Sequence, residues 1–242
     1  MIRDQETLDQ LVSLIDRFVS ERLVPRENEL AESEKLPDDV LTEMKELGLF
    51  GLTIPEEYGG LGLTMEEEIQ VAISLGRTSP AFRSIMGTNN GIGSAAIVFN
   101  GTEKQKQKYL PKYASGEWIS CFCLTEPDAG SDAASLKTTA VRDGDHYILN
   151  GSKRYITNAK VANTFNVMAR TNPSIQGARG ISSFIVEKDT PGITLGSVDK
   201  KMGQSGSMTC DVILEDCRVP AENIIGEEGE GFITAMKVLD RG

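Results

Sequence analysis

Between Gly116 and Trp118 the hydrophobic period of this 242-residue chain changes from that of a helix to that of a strand, so one layer type cannot accommodate both halves. Ahead of the change, Leu8, Leu11, Val12, Ile15, Phe18 and Val19 recur at spacings of three and four and form one apolar stripe. LPDDVLTEMKELG places Val40, Leu41, Met44 and Leu47 on one face and stops at Gly48. TMEEEIQVAISLG opens with a capping box, Thr64 to Glu67, and closes at Gly76. Ser79 and Pro80 read as the N-cap and first residue of the next helix, and Thr102 to Gln105 as a second box. Residues up to about 116 are therefore expected to be all helical.

From Trp118 onward the segments WISCFCLT, TTAVR, HYILNG, RYITN, TFNVMAR, SSFIVEK and CDVILEDCRVP are short and rich in β-branched and aromatic residues. Turn signals separate them at Asp143-Gly144, Asn150-Gly151, Pro173 and Pro191-Gly192; the first two pairs are those a tight hairpin prefers. Seven strands within about 100 residues predict a small antiparallel β-barrel or sandwich. After Gly229 the chain turns helical again, with Phe232, Met236 and Leu239 aligned. The fold class is thus α+β and multidomain. The last helix has no C-cap, which predicts a fragment or a disordered end.

Charge narrows the function. Lys plus Arg number 25 against 36 Asp plus Glu, a net charge of −11, which disfavours wrapping nucleic acid or an anionic membrane. No apolar run approaches the roughly 20 residues of a membrane-spanning helix. MIRDQETLDQ has neither a signal peptide's apolar run nor a transit peptide's lack of acids. A bacterial cytoplasm, or an equivalent reducing compartment, is the expected location. Cys121 and Cys123 share a strand face, and with Cys210 and Cys217 they do not make a zinc spacing. Buried thiols and no metal are expected. The one histidine, His146, follows a hairpin turn and has no triad partner in the pattern. GIGSAA (91–96) carries the letters of a dinucleotide fingerprint without the strand that must precede it. Close helix packing is the expected use of its small residues, and a nicotinamide-dependent Rossmann enzyme is the least favoured reading. GEEGEGF (226–232) fits an anion at a helix start or a hinge between domains equally well.

CFCLTEPDAGSD (121–132) runs from a strand into a turn at Pro127-Asp128 and a loop where Gly130 frees the backbone and Ser131 offers a hydroxyl. Such a strand edge suits a ligand without naming it. Together with FGLTIPEEYGGLGL (50–63), YILNGSKRYITNA (147–159), KMG (201–203), LEDCRVPAENIIGEEGEGF (214–232) and LDRG (239–242), it closely resembles the acyl-CoA dehydrogenase family over nearly the whole chain. The resemblance implies an N-terminal helical domain over 1–117, a middle β-domain over 118–228, and the start of a C-terminal helical bundle over 229–242.

It also implies FAD, an acyl-CoA thioester oxidised to the trans-2-enoyl-CoA in fatty-acid β-oxidation, electrons passed to an electron-transfer flavoprotein, and a homotetramer. Phe122, Leu124 and Thr125 match the strand beside the flavin's pyrimidine end, and Tyr155, Ile156 and Thr157 the WITN-like segment that stacks on the ring and bonds N5. Tyr155 stands where many relatives have Trp. Ser131 matches the loop at the flavin and acyl-CoA, and Phe232, Met236, Asp240 and Arg241 match positions near CoA and the acyl chain. Gly91, Gly93 and Ser94 are read as small residues lining the acyl pocket. QSGS (204–207) follows KMG where many relatives carry Arg. No catalytic base is expected in this chain: a minority of relatives hold it at the position of Gly242, so a Glu beyond residue 242 is implied and the fragment alone is expected to be inactive. The alternatives are an oxidase using O2 on the same scaffold and a non-catalytic member.

Overall fold

The structure is a computed structural model that describes residues 4–241, the side chain of Arg241 excepted. Helices α1 (Gln5–Phe18), α2 (Glu27–Ser33), α3 (Asp38–Glu46), α4 (Met65–Leu75), α5 (Pro80–Thr88), α6 (Ala95–Asn100) and α7 (Glu103–Ala114) come first. Both capping boxes form: the Thr64 N–H donates to Glu67 at 2.7 Å, and the Thr102 N–H to Gln105 at 3.0 Å. The apolar stripes then bury Ile15, Phe18, Val40, Met44, Val71 and Phe82 in one core.

Strands follow: β1 (Ser120–Cys123), β2 (Thr139–Asp143), β3 (His146–Thr157), β4 (Thr164–Arg170), β5 (Ile181–Glu187), β6 (Ile193–Leu195), β7 (Thr209–Pro220) and β8 (Ile224–Ile225). They form one sheet in the order β6-β7-β3-β2-β4-β5-β8, with β1 beside β4. The sheet curls so that Tyr147 on β3 meets Phe184 on β5 edge-on at 5.2 Å. Most pairs are antiparallel as expected, but β4 has two parallel neighbours: β1, from Ser120↔Thr164 to Cys123↔Val167, and β2, at Thr139↔Arg170. The β1 pairing follows from the way β1 enters: it comes from the helical layer, not from a hairpin. The closing helix is α8 (Gly231–Arg241).

One expected turn is absent. HYILNG and RYITN are a single strand, and Asn150-Gly151 lies within it at a shift of register against β7. Gly151 has φ +155°, and a Cβ there would sit 2.4 Å from Thr138 Oγ1. Asn150 Oδ1 accepts from the Asp216 N–H at 2.8 Å, so these turn-type residues serve a bulge. Asp143-Gly144 does lie at the β2–β3 hairpin, with Gly144 at φ +62°.

Helices and sheet share a second core, where Tyr109, Leu110 and Tyr113 of α7 meet Met168, Ile185 and Ile225. The Tyr113 and Thr164 hydroxyls bond at 2.6 Å. GIGSAA belongs to this seam. A π-helical turn (Asn89–Gly93) brings Gly93 so close to β1 that a Cβ would meet Ser120 Cβ at 3.1 Å. All four cysteines are free and buried. His146, half-buried at the β2–β3 hairpin, lies beside Asp145. No helix among the described residues is long and apolar enough to cross a membrane.

Candidate functional site

The strand edge at Thr125 is held by a buried ion pair. Lys153, fully buried on β3, donates to Glu126 Oε1 at 2.7 Å and to the Leu124 carbonyl at 3.3 Å. Glu126 also accepts the N–H groups of Lys137 (2.6 Å) and Thr138 (3.0 Å) and the Thr138 hydroxyl (2.5 Å). Burial pushes the Glu126 carboxyl upward, but the Lys153 charge and these donors outweigh it and hold the group below the usual carboxylate range. Burial pulls the Lys153 ammonium below its ordinary value, and Glu126 opposes that pull. The neighbouring Arg154 N–H donates to the Thr125 carbonyl at 2.8 Å. Reciprocal backbone bonds between Glu126 and Ala129 close the EPDA turn, after which Gly130 and Ser131 are exposed.

A second bulge supplies the facing wall. Arg154 and Tyr155 lie between the pairs Lys153↔Val212 and Ile156↔Cys210, and Tyr155 takes φ +59°. Its ring lies 4.3 Å from the Arg154 guanidinium, which is ion-paired with Asp199 (2.9 Å) and Asp211 (2.7 Å). The ring is 61% exposed, an unusual state for an aromatic in a strained backbone position. Tyr155→Gly should therefore be more stable than Tyr155→Ala by about 1 kcal/mol in urea unfolding, since only glycine relieves the left-handed backbone. Equal stabilities would mean that the bulge relaxes at no cost.

Between these walls lies a cavity of about 510 Å³. It gathers Phe122, Leu124, Thr125, Ser131, Tyr155, Ile156, Thr157, Phe232 and Met236, nine of the eleven residues singled out from the sequence. Asp240 is exposed on α8 and does not line it; the helical period turns Leu239 inward instead. The Arg241 side chain and Gly242 lie outside the described residues. Thr88 and Ile92 also line the cavity. Sequence reasoning missed them because the π-helical turn resets which positions face inward. Of the three small residues expected in the acyl pocket, Gly91 lines an adjoining cavity. Gly93 and Ser94 are buried in the seam, where the Ser94 hydroxyl donates to the Asn90 carbonyl. QSGS is tied to the N-terminal helices: the Ser207 and Ser84 hydroxyls bond at 2.7 Å, and Gly206 abuts Leu30.

The lining suits a flat, largely apolar ring system with a polar edge. Phe122, Leu124 and Ile156 are apolar and buried, and the Thr125 and Thr157 hydroxyls have no hydrogen bond among the described residues. No Lys or Arg among the described residues lines the cavity, so it fits an uncharged ring and not a phosphate. This composition is compatible with the isoalloxazine of a flavin.

Two family models match the chain: the acyl-CoA dehydrogenase N-terminal domain over residues 5–117 and the middle domain over residues 121–217. An acyl-CoA dehydrogenase of Bacillus subtilis is 39% identical over 229 residues, covering 95% of this chain and 60% of that protein. A chain in a structure of the electron transferring flavoprotein of Acidaminococcus fermentans superposes with TM-score 0.93 at 41% identity, over 99% of this chain and 63% of its own length. An acyl-CoA dehydrogenase complexed with FAD from Bacillus anthracis gives TM-score 0.89 at 39% identity, over 99% of this chain and 41% of its own. The chain thus spans less than two thirds of the length of each.

Proposed function

The chain belongs to the acyl-CoA dehydrogenase family, and on that premise we propose that it serves the FAD-dependent α,β-dehydrogenation of an acyl-CoA thioester to the trans-2-enoyl-CoA, with electrons leaving to an electron-transfer flavoprotein. The observation that carries the reading is the convergence on one cavity of two threonine hydroxyls without a partner among the described residues, an exposed aromatic ring and an apolar floor. The FAD of the Bacillus anthracis relative and the flavoprotein of the Acidaminococcus structure support the cofactor and the partner.

A flavin held here supplies the acceptor for the hydride that leaves the β-carbon. The chain's own residues prepare that step. Thr125 and Thr157, which border the cavity, would hold the ring's polar edge through their hydroxyls, and Tyr155 would cover one face. Ser131 would meet the thioester end, and Phe232 and Met236, on the α8 wall of the same cavity, the acyl side. The α-proton of a thioester is weakly acidic, and its removal needs a dry site and a stabilised carbonyl oxygen. The apolar floor of Phe122, Leu124 and Ile156 excludes water. Asp132 is the sole carboxylate among the described lining residues and is exposed, so it lacks the desolvated setting that tunes a base. We assign the base to a Glu outside this chain.

The whole protein, purified with FAD and offered a panel of acyl-CoA thioesters and an artificial electron acceptor, should show flavin bands and form enoyl-CoA. The 242-residue chain alone should form none. Absence of flavin bands from the whole protein after FAD is added would reject the reading.

A further inference from the structure

Arg154 and Tyr155 are adjacent on β3, and in a regular strand their side chains would point to opposite faces of the sheet. The bulge between Lys153↔Val212 and Ile156↔Cys210, with Tyr155 at φ +59°, removes that alternation. It lays the Arg154 guanidinium over the Tyr155 ring, 4.3 Å from its centre. Tyr155 borders the cavity and Arg154 does not, so the guanidinium backs the ring from outside the ligand space.

The guanidinium is itself held. Its Nη1 pairs with Asp199 at 2.9 Å and with Asp211 at 2.7 Å. Asp211 lies on β7, and Asp199, in the loop ahead of it, is tied to the same strand. The Asp199 carboxylate accepts the Thr209 hydroxyl at 2.8 Å, and its N–H donates to the Thr209 carbonyl at 2.9 Å. Ring, cation and two carboxylates thus form a brace from β3 to β7. Tyr155 is otherwise exposed, and none of the described aromatic pairs includes it. A tyrosine free to turn has to be ordered whenever a flat ligand stacks on it, at a cost in affinity. A planar guanidinium, unlike an ammonium, offers that ring a flat face. We propose that Arg154 is a positioning residue that fixes Tyr155 as a preformed stacking wall, so that a flavin ring meets an aromatic face already in place. This rests on the flavin reading above and adds no chemical step to it.

Two readings on the flavin-loaded whole protein report the wall: the Kd for FAD, and the emission of the bound flavin, which a stacked tyrosine quenches. Arg154→Met should weaken FAD binding by about three- to tenfold and brighten the emission. Arg154→Lys keeps a cation for Asp199 and Asp211 but not the flat face, and should fall between Arg154→Met and wild type. Tyr155→Leu separates this role from a merely structural one. In that background Arg154→Met should leave both readings unchanged, because the ring it acts through is gone. A loss that persists undiminished in the Tyr155→Leu background, or wild-type readings in Arg154→Met, overturns the proposal while leaving the flavin reading intact. If Arg154→Met does not fold, Arg154→Lys decides alone, and wild-type emission from it rejects the brace. A whole protein that takes up no FAD rejects the flavin reading and the brace with it.

Discussion

Lys153→Met should destabilise the fold by about 3–5 kcal/mol in urea unfolding, a large share of the stability of any domain of this size. The variant leaves the Glu126 carboxylate buried without its cation, and the Leu124 carbonyl without its charged donor. Adding Glu126→Met to Lys153→Met should not recover the loss, although removing both members of a buried pair often does. Here Glu126 also accepts three further bonds from Lys137 and Thr138, and the double variant leaves those donors without an acceptor. The pH dependence has a definite sign. A carboxyl whose folded pKa is depressed contributes stability that is fully present above its unfolded value and is lost as pH falls through the folded one. Wild-type stability should therefore drop below the ordinary carboxylate range more steeply than that of Glu126→Gln. Parallel acid profiles, or a loss under about 1 kcal/mol for Lys153→Met, would show the pair to be incidental.

The same pair marks the limit of what the residue pattern reveals. Helices announce themselves through local chemistry: Thr64 with Glu67, Thr102 with Gln105, and Ser79 before Pro80 each report a start within four residues. Strands announce themselves by composition, whereas the nine positions around one cavity came from the resemblance to a known family and not from periodicity. What stayed hidden depends on distant partners. Nothing near Lys153 says that its ammonium will meet Glu126 across 27 residues. Asn150-Gly151 carries the letters of a hairpin, but Thr138 and Asp216 turn it into a bulge. Thr88 and Ile92 escaped because the π-helical turn over Asn89–Gly93 breaks the period on which face assignment depends. The parallel pairing of β1 with β4 is likewise set by where the helical layer releases the chain, a global fact with no local letter.

Gly231→Ala should detach α8 from the sheet, and Gly130→Ala should do nearly nothing, although each glycine follows an acidic, small-residue loop segment. A Cβ on Gly231 would lie 2.3 Å from the Ser182 carbonyl carbon and 2.4 Å from the Ser183 nitrogen. These are backbone atoms of β5, paired on both sides by β4 and β8, so they cannot yield. The helix must move instead. It carries Phe232, Met236 and Leu239, one whole wall of the cavity, and Ala235 and Val238 fully buried beneath them. Overpacking of this kind costs about 1–3 kcal/mol, and the wall is displaced with it. At Gly130, by contrast, no atom lies within 4 Å of where a Cβ would stand and φ is not in the left-handed region, so alanine meets no obstacle. Urea unfolding of both variants reads the energetic difference. FAD titration of the whole protein reads the functional one: Gly231→Ala should weaken binding by about tenfold or more, while Gly130→Ala stays within about twofold. If the two variants bound FAD equally well, α8 would have no part in holding the ring, and Phe232 and Met236 would line the cavity without shaping it.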